Sequence, residues 1–248
     1  MSIQAYDADM VEAPGAETLA SGALGNLWAS FGGVWPLWSA LTIVYAVGAA
    51  VAESTAGFGQ LLPAAGSSLA AAVVGGILIR VLLGRGLAAW KPDGGLFSFV
   101  GIVGLLSVGP SMLGAFLQPP AHAVAAADVS GYTTQAGGVG VVGLSLLWMA
   151  MRLTPWPIGR LLGNVEMSSG RAWRLMRGVV LSYAMAAILL SAPVVALAVM
   201  VAMLTKPQGH LISQLAIAPL SSLVALLAAA VAAEVYRARV VVAPSPEA

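Results

Sequence analysis

The chain has 248 residues, of which 59% are hydrophobic and only 8% charged, and its net charge is +1. An ordinary soluble domain carries about 25% charged residues, and a surface so thinly charged would associate through its apolar patches in water, so a water-soluble globule is excluded. A balanced charge gives no footing for a nucleic-acid partner, and the absence of cysteine removes disulfides, thiolate catalysis and zinc–cysteine sites.

Residues 1–33 open with Asp7, Asp9, Glu12 and Glu17 and contain no Lys or Arg. They lack the positive start of a secretory signal, and residues 1–17 read as a solvated acidic tail. In the stretch that follows it, Leu19, Leu24, Leu27 and Trp28 recur roughly by helical turns, as in a helix lying at a membrane interface. Residues 34–236 are the expected transmembrane domain. A spanning helix needs about 20 mostly apolar residues. Six stretches reach that length: 34–52, 61–83, 96–117, 132–151, 179–204 and 211–233. The fourth opens with the polar run Tyr132, Thr133, Thr134, Gln135 and has the shortest apolar part. Residues 237–248 remain as a short C-terminal tail. The expected fold class is all-α, a polytopic transmembrane helix bundle of about six spans, because a helix satisfies its own backbone in lipid. The two-residue alternation of a membrane β-barrel is missing.

The positive charges test that map. Arg80, Arg85 and Lys91 fall in or at the second loop. Arg152, Arg160, Arg171, Arg174 and Arg177 fall in the fourth, and Arg237 and Arg239 follow the last span, while Lys206 stands alone on the other face. Short loops rich in Lys and Arg stay cytoplasmic, which places both termini inside. Arg80, one turn from the end of its span, is positioned to snorkel to the headgroups. Glu234 and Arg237 stand three apart, the spacing of a helical ion pair. No ionisable side chain lies near a span midplane, which counts against a proton-coupled carrier.

Gly137, Gly138, Gly140 and Gly143 in the fourth span, and Ala72 and Gly76 in the second, read as close-packing positions between helices. Pro193 and Pro219 stand inside the last two spans. They are candidate helix-break positions lining a site, set against two ordinary kinked helices.

The fourth loop, PWPIGRLLGNVEMSSGRAWRLMR over residues 155–177, is the most informative segment. Ile158, Leu161, Leu162, Val165, Ala172, Trp173 and Met176 follow helical spacing, with a break near Ser168–Gly170. Ser168 or Ser169 is placed to cap the second half. This predicts a cytoplasmic amphipathic interfacial helix between spans four and five. Arg160, Arg171, Trp173, Arg174 and Arg177 are its candidate contacts with anionic lipid headgroups or a partner; the alternative is a plain topology anchor.

The stretch GRAWRLMRG at Gly170–Gly178, leading directly into VVLSYAMAAILLSAPVVAL, resembles a pattern of the YciC-like group of bacterial membrane proteins, also described as glycerophosphoryl diester phosphodiesterase membrane-domain proteins. Ala218–Pro219 and the run Ala233–Arg237 are similar to it too. The resemblance covers the C-terminal half only. Met176 stands where that pattern has Thr. It implies a polytopic inner-membrane protein; the phosphodiesterase activity belongs to a separate soluble domain that this chain does not supply.

His122 and His210 are the only histidines, both in outward loops, and the signature loops of serine hydrolases and nucleotide-binding proteins are missing. The expectation is a non-enzymatic scaffold or envelope-associated protein of the bacterial inner membrane that needs no cofactor. Its partners are membrane lipids through the basic loop, and a second copy or another membrane protein. The competing expectation is a transporter or permease subunit for a neutral or amphipathic solute.

Overall fold

The computed structural model describes residues 13–54, 61–117 and 145–241. The expected acidic residues 7–12, the loop carrying His122 and residues 132–144 of the fourth span lie outside these, with the glycine cluster at 137–143. Among the described residues every regular element is helical. In chain order these are α1 (Ala16–Ala29), α2 (Phe31–Ser54), α3 (Leu61–Leu82), α4 (Gly94–Leu117), a helical stretch at 145–153, α5 (Pro155–Leu161), α6 (Ser169–Leu175), α7 (Val180–Thr205) and α8 (His210–Tyr236).

Four of these helices are long and apolar enough to cross a bilayer, over Phe31–Val51, Ala65–Leu82, Val180–Thr205 and Leu211–Val240. The breaks between them follow from local chemistry. Past the end of α3 the backbone turns at Gly84, with φ +81°, and α7 and α8 are separated at Gly209, with φ +116°; both are left-handed conformations that a side chain resists. Asp93 starts α4 by accepting the Leu96 amide at 2.9 Å, as a capping carboxylate does. Helix α2 begins three residues earlier than residue 34 because the Ser30 carbonyl already accepts the Gly33 and Val34 amides, at 2.9 and 3.0 Å.

Helix α8 is the hub, packed against α7, α2, α1 and α3, while α2 lies on α3 and α3 on α4. Leu37, Leu78, Ile79, Phe99, Ala230 and Val231 meet in the core. Gly76 is a close-packing position, as its spacing predicts. A Cβ there would stand 2.9 Å from a Leu96 methyl and 3.0 Å from the Phe99 ring. Such contact is how helices gain packing energy where lipid removes the hydrophobic drive. On the outer flank of α7, Leu181, Ile188, Met203 and Leu204 are all more than half exposed, which acyl chains tolerate and water does not. Both Pro193 and Pro219 sit inside helices that run on past them.

The alternation of the helices brings one set of ends together. The C-termini of α3 and α8, the N-termini of α4 and α7, and α1, α5 and α6 meet as a cap at one end of the bundle, joined by long-range hydrogen bonds. Helix α1 is folded onto α7 and α8 there, with Leu19 and Ala23 buried, while Trp28 stays exposed. The tail that the sequence begins at residue 237 instead continues in a wide turn, Arg237–Val241, with Arg239 buried.

Candidate functional site

The cap is built by guanidinium groups. Arg80 is 3% exposed. It does not snorkel. It pairs with Asp93 and donates to the backbone carbonyls of Lys91 at 2.8 Å and Leu161 at 3.0 Å. Arg85 donates to the Leu162 carbonyl at 2.8 Å. Both cations thus meet the C-terminal carbonyls of α5, where orphan acceptors and the negative end of the helix dipole favour them. The Arg80 guanidinium, followed by the Leu96 amide, holds the Asp93 carboxyl below the usual carboxylate range.

A second staple joins the chain's extremes. Arg237 donates to Asn26 Oδ1 at 2.7 Å, to Glu234 Oε2 at 3.4 Å and to the Leu82 carbonyl at 2.9 Å. The Asn26 amide donates to the same Glu234 oxygen. The spacing of Glu234 and Arg237 foretells their ion pair; nothing in the sequence foretells Asn26, 208 positions away. Asp93 carries a legible signal, since an Asp just ahead of an apolar helix is a start mark.

The fourth loop folds into two short helices rather than one. Met167 folds back over Gly159, where a Cβ would stand 2.6 Å from it. Ile158, Leu161, Met167, Ala172 and Met176 are buried against the bundle. Ser168 caps α6 by accepting the Arg171 amide at 3.2 Å. The break therefore spans residues 162–168, and Val165, expected on the apolar face, is 72% exposed in it.

The sequence-predicted contact residues fall into two groups. Arg171, Trp173, Arg174 and Arg177 are exposed on the outer side of the cap, and Arg160 is half-buried. Arg171 meets Glu166 at 3.5 Å with both side chains largely solvated, a pairing worth little. Trp173 lies against Arg152, whose guanidinium carbon stands 4.5 Å from its ring and 5.6 Å from that of Trp148. Pro193 and Pro219 do not come to one site. Pro193 is exposed on α7, whereas the Pro219 carbonyl accepts Ser222 Oγ at 2.8 Å and the Trp38 indole at 3.3 Å. Thr42 and Ser222 hydroxyls meet at 2.7 Å beside them, so the polar groups of this helix contact satisfy one another.

Within the bundle, a half-open cavity of about 320 Å³ lies between α2, α3, α4 and α8. Leu78, Ile79 and Phe99 line its cap end, and Tyr45, Ser67 and Ser68 supply hydroxyls toward the other. Small residues of α3, Ala71, Ala72 and Gly75, leave the space. Among the described residues no three of His, Asp and Glu gather to hold a metal ion. No family model, curated protein or solved structure matches this chain.

Proposed function

We propose that this chain is a six-span protein of a bacterial cytoplasmic membrane, both termini inside, acting without catalysis as a scaffold or assembly factor through its basic cap. The observation that carries this is the collection of every Lys and Arg except Lys206 at one end of the bundle. Charge asymmetry between short loops sets orientation, so the cap faces the cytoplasm. The four apolar helices supply four spans, and α4, 24 residues long, with the stretch ending at residue 153, supplies the other two. Several arginines are consumed inside the cap, which leaves Arg171, Arg174 and Arg177 to meet anionic headgroups or a partner's acidic surface. The Gly170–Gly178 motif supports kinship with the YciC-like proteins. The test is reporter fusion at Lys91 and at Lys206. Cytoplasmic signal at the first and external signal at the second is the expected result, and the reverse pattern defeats the orientation.

A second reading, transport of a neutral or amphipathic solute, draws on the cavity with Tyr45, Ser67 and Ser68 at one end and apolar walls at the other. Solute uptake into liposomes that Ala71→Phe abolishes would favour it over the scaffold.

A further inference from the structure

Trp148, Arg152, Trp156 and Arg160 recur every four residues, and the backbone stays right-handed helical through Thr154 between them. The first Arg of this series is stacked between tryptophans. The second is not. Arg160 and Trp156 line a separate, shallow and mostly open groove of about 350 Å³, whose other lining residues are Ser98, Gly101 and Ile102 of α4. That volume is at the small end of the range for ligand pockets, about 300–1,000 Å³.

The lining has a direction. Ser98, Gly101 and Ile102 follow one face of α4, and Ile102 lies about 12 Å along the helix axis from Gly94 at a rise of roughly 1.5 Å per residue. The groove thus starts at the cap and runs along α4 past Gly101 to the apolar side chain of Ile102. Gly101 keeps it open, because a Cβ there would meet no atom within 4 Å. At the mouth, Ser98 commits its hydroxyl hydrogen to the Gly94 carbonyl at 2.8 Å. Neither the Arg160 guanidinium nor the Trp156 indole N–H has an acceptor among the described residues. Four other cap guanidiniums do better: Arg80, Arg85, Arg237 and Arg239 each donate to a backbone carbonyl. A half-buried cation with free donors, above an apolar groove, matches one chemistry: an anionic headgroup attached to an acyl chain.

We propose that this groove is a site for one anionic phospholipid, its phosphate on Arg160 and the Trp156 N–H and an acyl chain laid over Gly101 and Ile102. The site rests on reading the cap as a headgroup-level surface. Arg160 is thereby a ligand-binding residue, whereas Lys91, an exposed cation at the same end, serves as a control for diffuse charge.

The experiment uses the full chain, delipidated in neutral detergent and titrated with dioleoyl phosphatidylglycerol, dioleoyl phosphatidylcholine or inorganic phosphate. Binding is followed by native mass spectrometry and thermal shift. Phosphatidylglycerol is expected to bind about tenfold tighter than phosphatidylcholine, and Arg160→Gln to lose about that factor, the scale of one charge-assisted hydrogen bond. Gly101→Leu, which fills the groove while leaving Arg160 in place and favours helix, is expected to weaken phosphatidylglycerol to the same degree. Lys91→Gln should leave it unchanged. Equal binding of the two lipids, an unaffected Gly101→Leu, an equal loss in Lys91→Gln, or a shift reproduced by phosphate alone overturns the proposal. The reporter fusions fail separately: a cap found outside with lipid selectivity intact defeats only the orientation, and a cytoplasmic cap without selectivity defeats only this site.

Discussion

Arg80 stands one turn before the end of an apolar helix, where a long cation ordinarily reaches outward to water. Here it turns inward, because Asp93 and two backbone carbonyls already occupy the space under the cap and together use its donor fork. The folded pKa of Asp93 is depressed, so its contribution is present above the unfolded value of about 3.9 and disappears as pH falls through the lower folded value. Asp93→Asn is therefore expected to melt below the native protein at neutral pH, and the gap between the two should close on acidification below about pH 4. Melting curves in detergent across that range check it, and a constant gap would contradict the pairing. The Asn26–Glu234–Arg237 staple makes an equally sharp demand. A Cβ on Gly22 would stand 2.8 Å from Glu234 Oε1, so Gly22→Val should cost about 1–3 kcal/mol by overpacking. Glu234→Ala removes the obstructing carboxylate, so adding Gly22→Val to it should cost far less, a non-additivity that a double-mutant cycle measures.

At the level of elements, the α5–α6 pair shows how a basic amphipathic segment becomes a fitted lid. Its apolar positions are spent on the bundle, with Ile158 and Leu161 each 1% exposed and Met167 and Ala172 fully buried. A helix floating in the interface would instead offer that face to lipid. The hinge of the arrangement is Gly159, against which Met167 closes. Gly159→Leu is expected to lift α6, destabilise the protein by about 1–3 kcal/mol and raise protease sensitivity between residues 162 and 168; unchanged proteolysis would argue that the two helices are not locked. The outward arginines belong to a different role. Replacing Arg171, Arg174 and Arg177 by Glu should leave this packing alone, since all three are exposed, yet weaken retention of the loop on the cytoplasmic side to which the proposed orientation assigns it. A reporter in the loop that stays cytoplasmic at full yield would count against their part in topology.

For the whole molecule, the two faces of stability are separated in space. The helical bundle holds itself by close contacts of small residues, as at Gly76 and at Gly48, where a Cβ would lie 3.0 Å from Ser67 Cβ. The cap holds by arginines donating to carbonyls that helix ends and connecting turns leave open. Lipid contact fits the exposed flank of α7, and water or headgroups the exposed cations. This division gives a simple physical expectation: detergent that covers the apolar flanks keeps the chain monodisperse, and dilution below the micelle concentration aggregates it.

Four of the six expected stretches, 34–52, 61–83, 179–204 and 211–233, coincide with helices long and apolar enough to cross a bilayer, and they were legible from residue types alone, because some twenty uncharged residues in a row have one favourable solvent and one backbone conformation available in it. The Ser168 cap, the close-packing Gly76 and the Glu234–Arg237 pair were legible too, since each is local or needs only helical spacing. Tertiary structure alone decided the rest. The inward turn of Arg80, the reach of Asn26 to Glu234, the folding of α1 onto α7 and α8, and the groove beneath Arg160 all join residues far apart in the chain. Which guanidinium finds a carbonyl and which is left free depends on how the helix ends converge in space.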